Sequence, residues 1–149
     1  MNPNLKFAER NSIAATIDPV SQGAGTVNTS WVSMGNFNSV CALLGVGVMS
    51  AGSTVDAKLQ QATDSTGTGA KDIPGKAIVQ LLAAGGNNRQ ALIEVRDTEL
   101  DVNNGYAFVR LSVTVASAAS LVQAVVIGHN PIFVPGSGFN QAGVAQIVG

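Results

Sequence analysis

What most constrains the fold of this chain is a period-two alternation of apolar and polar residues, cut at short intervals by Gly, Asn and Ser. From Tyr106 to Ala116, Ala107, Val109, Leu111, Val113 and Val115 fall on one face, and Tyr106, Phe108, Arg110, Ser112 and Thr114 on the other. That spacing belongs to a half-buried antiparallel strand. Thr54 to Ala62 repeats it, with Val55, Ala57 and Leu59 opposed to Thr54, Asp56, Lys58 and Gln60. Gln90 to Arg96 alternates again, with Ala91, Ile93 and Val95 opposed to Leu92, Glu94 and Arg96. No long stretch carries a 3.6-residue stripe.

Two further segments, Trp31 to Phe37 and Val40 to Met49, read as two strands or one bent pair. Gly45 and Gly47 within the second suggest a bulge or a close backbone approach. Asp64 to Gly69 is a loop by composition, and Gly85-Gly86-Asn87-Asn88 is a turn. Gly75 to Ala84 is compatible with a strand or a short helix. Asn103-Asn104-Gly105 reads as a hairpin-type turn, because Asn and Gly adopt positive φ at low cost. Leu121 to Gly128 follows as the expected partner of the 106–116 strand. About seven short strands with such turns define an all-β chain, an antiparallel β-sandwich of jelly-roll type. Met1 to Ser30 and Pro131 to Gly149 lack periodic order. The expected organisation is therefore an irregular N-terminal arm over 1–30, a sandwich over 31–130 and a C-terminal arm over 131–149.

At 149 residues there is room for one domain with a real core, and 46% of the residues are hydrophobic. Only 11% are charged, against roughly 25% in ordinary soluble domains. A surface this weakly charged suits a protein covered by copies of itself or by a lattice. Eight basic and nine acidic residues leave no basic cluster to neutralise phosphates, so nucleic acid is not an expected partner. The apolar runs are too short to span a bilayer, and Met1-Asn2-Pro3-Asn4-Leu5-Lys6 lacks a signal-peptide layout. No membrane partner is expected, and assembly in a bacterial cytoplasm fits.

Candidate chemistry is sparse. His129, the lone histidine, has no evident partner carboxylate, serine or second ligand, and reads as a polar residue at a strand end. Cys41 sits in an apolar stretch without an activating neighbour and reads as a small hydrophobe. Thr66-Gly67-Thr68-Gly69-Ala70-Lys71-Asp72 has some look of a phosphate loop, but its glycine spacing is wrong and no Ser/Thr follows the lysine. Asp64 and Asp72 could flank one loop as a weak cation site; exposed turn carboxylates are the plainer reading. No catalytic residue, metal site or cofactor is expected. Trp31 is expected to anchor the core. Together with Tyr106 and Phe108 it also forms the candidate interface set, because two aromatics share the polar face of one strand.

The stretches Thr54 to Asp64, Gly69 to Ile73 and Leu100 to Val115 resemble a group of small virion proteins of tailed bacteriophages, over roughly residues 31 to 130. The resemblance implies a β-rich head-decoration (cement) protein, often trimeric, seated on the major capsid protein at the outer surface of the virion. It implies no transferable site residues. A tail or head–tail connector subunit is the alternative role in the same particle. A carbohydrate-binding module is the alternative from another class, and it would need an exposed aromatic platform.

Overall fold

The computed structural model describes residues 4–149. After a four-residue helix, α1 (Phe7–Arg10), the chain is built from ten strands: β1 (Asn11–Gln22), β2 (Gly25–Asn28), β3 (Val32–Ser33), β4 (Phe37–Met49), β5 (Thr54–Ala62), β6 (Lys71–Ala77), β7 (Leu81–Leu82), β8 (Arg89–Arg96), β9 (Phe108–Ala116) and β10 (Ser120–Pro131). A second short helix, α2 (Ala83–Gly86), precedes β8. One sheet has the order β1-β10-β4-β8; the other has the order β2-β9-β5-β6, with β3 on β9 and β7 on β5. We call them the β1 sheet and the β2 sheet.

The pairing defines the topology. β1 pairs with β10, β2 with β9, β4 with β8 and β5 with β6, every pair antiparallel. First long strand meets last, second meets second-last, and so inward: one long hairpin rolled over itself into two packed sheets. That nesting is the jelly roll. The expected all-β sandwich is present.

The core lies between the sheets and is filled by the inward half of each alternation. Val109, Leu111, Val113 and Val115 of β9 are buried, as are Val55, Ala57 and Leu59 of β5. Val40, Ala42, Leu44 and Val46 of β4, with their cross-strand neighbours Ala124 and Val126 of β10, line the same interior from the other sheet. Each fully buried Val or Leu contributes about 1.5–3 kcal/mol from burial, so these alternating faces are what hold the sheets together.

Three expectations are corrected. The 1–30 arm is not irregular where it is described: Asn11–Gln22 and Gly25–Asn28 are strands, and Ser12, Ala15 and Ile17 are buried in the sandwich (residues 1–3 lie outside the described residues). The alternation there is hidden because β1 shifts register between Ile13 and Ala15 and again between Ile17 and Val20, which breaks period two. Second, β10 is not the hairpin partner of β9. Ser117, at φ 70°, turns the chain out of one sheet and into the other, where β10 lies between β1 and β4. Third, the 131–149 segment is docked in part. The 3₁₀ turn Gly136–Phe139 sits on β1, and the Phe139 ring packs edge-on to Phe37 at 5.5 Å.

Candidate functional site

A sandwich has two outer faces, and here they differ in chemistry. Strand register places side chains of the β1 sheet in rows across its outside: Leu92–Leu43–Val125–Thr16, then Glu94–Cys41–Ile127–Ile13, then Arg96–Ser39–His129–Asn11. Charge enters only at the two edges, from β8 on one side and from Asp18 of β1, which accepts from the Thr16 hydroxyl, on the other. Leu92 is 63% exposed and Leu121 46%, and Val20 and Val48 add exposed apolar surface beside them. The composition behind this is local: only Asp18 is charged between Asn11 and Val55, and no Asp, Glu, Lys or Arg follows Arg110.

Two hollows mark this face. One, of about 860 Å³, is lined by Phe7, Cys41, Glu94, Arg96, Ile127 and His129. The other, of about 430 Å³, lies over Gly45 and Gly47 between Val20, Gln90 and Leu121. The two glycines do serve a close approach, as their place in the strand suggests: a Cβ on Gly47 would stand 3.1 Å from Leu121 Cβ. Larger residues there would fill the hollow and lift Leu121 off the sheet.

The polar groups in the larger hollow do not form a catalytic set. His129 Nδ1 lies 2.7 Å from Asn11 Oδ1, its cross-strand neighbour, rather than against a carboxylate. Burial pushes the Cys41 thiol pKa up, and the neighbouring Glu94 pushes it further. The thiol is thereby held neutral, the opposite of what a nucleophile needs.

The outer face of the β2 sheet is polar and cross-linked. Arg110 donates to Gln60 Oε1 through Nε at 3.0 Å and Nη2 at 2.8 Å. Gln60 in turn donates to Asp72, which also holds the Lys58 ammonium at 2.7 Å. Gln80 donates to Asp56, and the Thr26 and Thr114 hydroxyls meet at 2.8 Å. Lys58 and the Gln60 amide together hold the Asp72 carboxyl below its ordinary range.

Trp31 belongs to this outer network and not to the core. Val32 takes the inward position opposite Val109, which turns Trp31 outward and leaves it half-buried. The Arg110 guanidinium lies 4.5 Å from the centre of its ring, and Gly67 approaches so closely that a Cβ would stand 2.7 Å from Trp31 Nε1. Tyr106 donates to Gly69 O at 3.0 Å, with the Lys71 ammonium 4.1 Å from its ring centre. Both rings thus brace the 64–70 loop. Phe108, the third candidate, is half-buried at the start of β9 opposite Ala62 and Ser33. The three aromatics are at one end of the sandwich, but two of them are spent on holding a loop.

Asp64 and Asp72 do not converge. Asp64 Oδ1 accepts from the Thr66 and Thr68 amides and the Thr66 hydroxyl, so its pKa is driven far below the usual carboxylate range. It is the keystone of its own loop, while Asp72 belongs to Lys58 and Gln60. Among the described residues, no group of three His, Cys, Asp or Glu is placed to hold a metal ion.

The surface that sequence reasoning missed is the largely apolar outer face of the β1 sheet. Its signal was present in the run Val40 to Met49, which is apolar at both parities, and in the charge-free stretch after Arg110. A strand apolar on both sides is covered on both sides or exposes an apolar face.

Strand pairing and the two chemically distinct faces define a jelly-roll sandwich with one bare apolar side. No family model and no curated protein matches the chain. Among solved structures, it is similar to a protein of cowpea mosaic virus top component, the naturally occurring empty particles, at 10% identity over 87% of this chain and 88% of that one, with a TM-score of 0.45. A protein of broad bean stain virus aligns at 9% identity over 91% and 92%, with a TM-score of 0.48. A xylan-binding domain from Paenibacillus barcinonensis aligns at 15% identity over 80% and 81%, with a TM-score of 0.40. At this distance the likenesses assign no role.

Proposed function

We propose that the chain is a structural subunit of a virus particle, a head-decoration (cement) protein of a tailed bacteriophage, and that it attaches through the outer face of the β1 sheet. The observation that carries this reading is the weakly charged, largely apolar and partly hollowed outer face of an otherwise finished sandwich. Such a face is costly to leave in water and well suited to adhesion. The resemblance of the 54–73 and 100–115 stretches to small phage virion proteins points the same way. Adhesion is its work: many modest apolar contacts repeated over a shell add up through multivalency, so no single contact need be strong. A trimer on the major capsid protein is the expected arrangement.

The carbohydrate-binding reading has less support. It needs an aromatic ring open to a sugar, and Trp31 lies between Arg110 and Gly67.

Cryo-electron microscopy of purified particles tests the proposal. Density for this fold on the outside of the shell, with the β1 sheet turned toward capsid protein or a neighbouring copy, is the expected result. Density confined to the tail or portal vertex would replace decoration with a connector role, and absence from particles would overturn the virion reading.

A further inference from the structure

The C-terminal segment is fastened to the sandwich in an unequal way. β1 is an edge strand, paired on one side only with β10. On its free side, the Ile13 amide donates to Asn140 Oδ1 at 2.8 Å and the Gln141 amide donates to Ile13 O at 2.8 Å. Gln141 Nε2 reaches Thr16 Oγ1 at 2.9 Å, and Gly136 lies so close to the Asn11 backbone that a Cβ would not fit. A socket and a plug are thus built at 136–141. Between this plug and the end of β10 run Ile132, Phe133 and Val134, exposed by 52%, 69% and 63%. Three consecutive large apolar side chains in water, joining two well-seated segments, are what a connection looks like when its own covering partner is missing.

We propose that the plug exchanges between copies: residues 136–141 of one chain occupy the β1 edge of a second chain, and the 132–134 segments are buried between the two. The chain itself shows that the occupant fits, because the same six residues fill the same socket within one chain. Exchange keeps every one of those contacts, so plug and socket favour neither arrangement. No charged side chain follows Arg110, so no side chain of the tail forms a salt bridge to the domain. The connection decides the balance, and burial of Phe133 and its neighbours favours the exchanged form. The inference stands apart from the particle assignment, since it concerns only copies of this chain.

The test uses the full chain in a Cys41→Ser background. A tagged Thr16→Cys protein and an untagged Gln141→Cys protein are produced together, concentrated and treated with a short bismaleimide. A tagged–untagged covalent dimer is expected, together with self-association of the unmodified chain that Phe133→Asp lowers at least tenfold. The doubly substituted chain, treated in parallel, reports the closed arrangement as an internally linked monomer. If the mixed single variants give no cross-chain product while the double variant links internally, the proposal is overturned. If linking fails in every sample, sedimentation decides: association that Phe133→Asp leaves unchanged, or a chain monomeric at every concentration, overturns it equally.

Discussion

The two outer faces of this sandwich are made by the same rule and end in opposite chemistry. Outside the β2 sheet, Trp31, Arg110, Gln60, Asp72 and Lys58 form one continuous chain of contacts. Its polar groups answer one another, and its aromatic ring is enclosed. Outside the β1 sheet, Leu92, Leu43, Val125, Cys41 and Ile127 lie in rows with charge only at the two edges, along β8 and at Asp18 of β1. The first face is complete as it stands and gains little from a partner. The second is incomplete in water. That difference is what the proposed attachment through the β1 sheet rests on.

Both faces hang on one interior, and the largest expected effect comes from breaking it. Leu111 is fully buried at the centre of β9. Leu111→Ala removes its contacts and leaves a cavity, at a cost of about 2–5 kcal/mol. Chemical denaturation would show this as a lower midpoint with an unchanged slope. A loss confined to one face, with the other still protected from hydrogen exchange, would mean that the sheets do not share one cooperative core.

The next test sets the faces directly against each other. Leu92→Lys puts a charge on the exposed apolar face and Thr114→Lys puts one on the polar face. Stability should change by within about 0.5 kcal/mol for the exposed Leu92 position. Assembly onto particles, or self-association, should fall at least tenfold for Leu92→Lys and hardly at all for Thr114→Lys. A tenfold loss corresponds to about 1.4 kcal/mol. Equal losses from both substitutions would abolish the distinction between the faces.

Arg110→Ala sharpens the comparison from the other side. It removes two hydrogen bonds to Gln60 and the cation over Trp31. Partly exposed interactions of this kind contribute roughly 0.5–1.5 kcal/mol in sum. Trp31 emission should shift toward that of a solvated indole while assembly is preserved. Loss of assembly here would transfer the functional surface to the β2 sheet.

Much of the fold was legible wherever alternation was regular. The segment 54–62 is β5, and the 106–116 pattern predicts which residues of β9 face inward. Legibility failed where the strand itself departs from period two. β1 carries two register shifts, so Ile13, Ala15 and Ile17 look unrelated in the sequence although the latter two are buried. The partner of β10 could not be read because a three-residue connection serves a hairpin and a sheet-to-sheet crossing equally well; the φ of Ser117 decides it. Trp31 misled for a different reason. Its size argues for burial, but parity is set by Val32 opposite Val109, and that register is a tertiary fact. The apolar outer face was written into 40–49, but a strand apolar at both parities does not say whether its second side is covered.

Acid gives the smallest effect and the most local one. Asp64, Asp72, Glu99 and Asp101 all have carboxyl pKa values held below the ordinary range by hydrogen bonds, and in the last three cases also by Lys58, Lys76 and Lys71. A depressed folded value means that the stabilisation is complete above the unfolded carboxylate pKa, near 3.9 for Asp, and is lost as pH falls through the folded values. These groups are exposed and solvent-screened, so global unfolding is not expected between neutral pH and about pH 4. Below that, the Asp64 carboxylate, the most strongly depressed of the four, is protonated last, so Thr66 and Thr68 keep the acceptor that holds their amides until strong acid, and only there does the loop that encloses Trp31 open. The outside of the β1 sheet carries carboxylates only at its two edges, Glu94 and Asp18, so its apolar rows should keep their adhesion through the same range. Faster amide exchange at Thr66 and Thr68 with unchanged assembly would separate the two faces by pH alone. Assembly that fails together with the loop would tie the adhesive surface to the 64–70 end of the molecule.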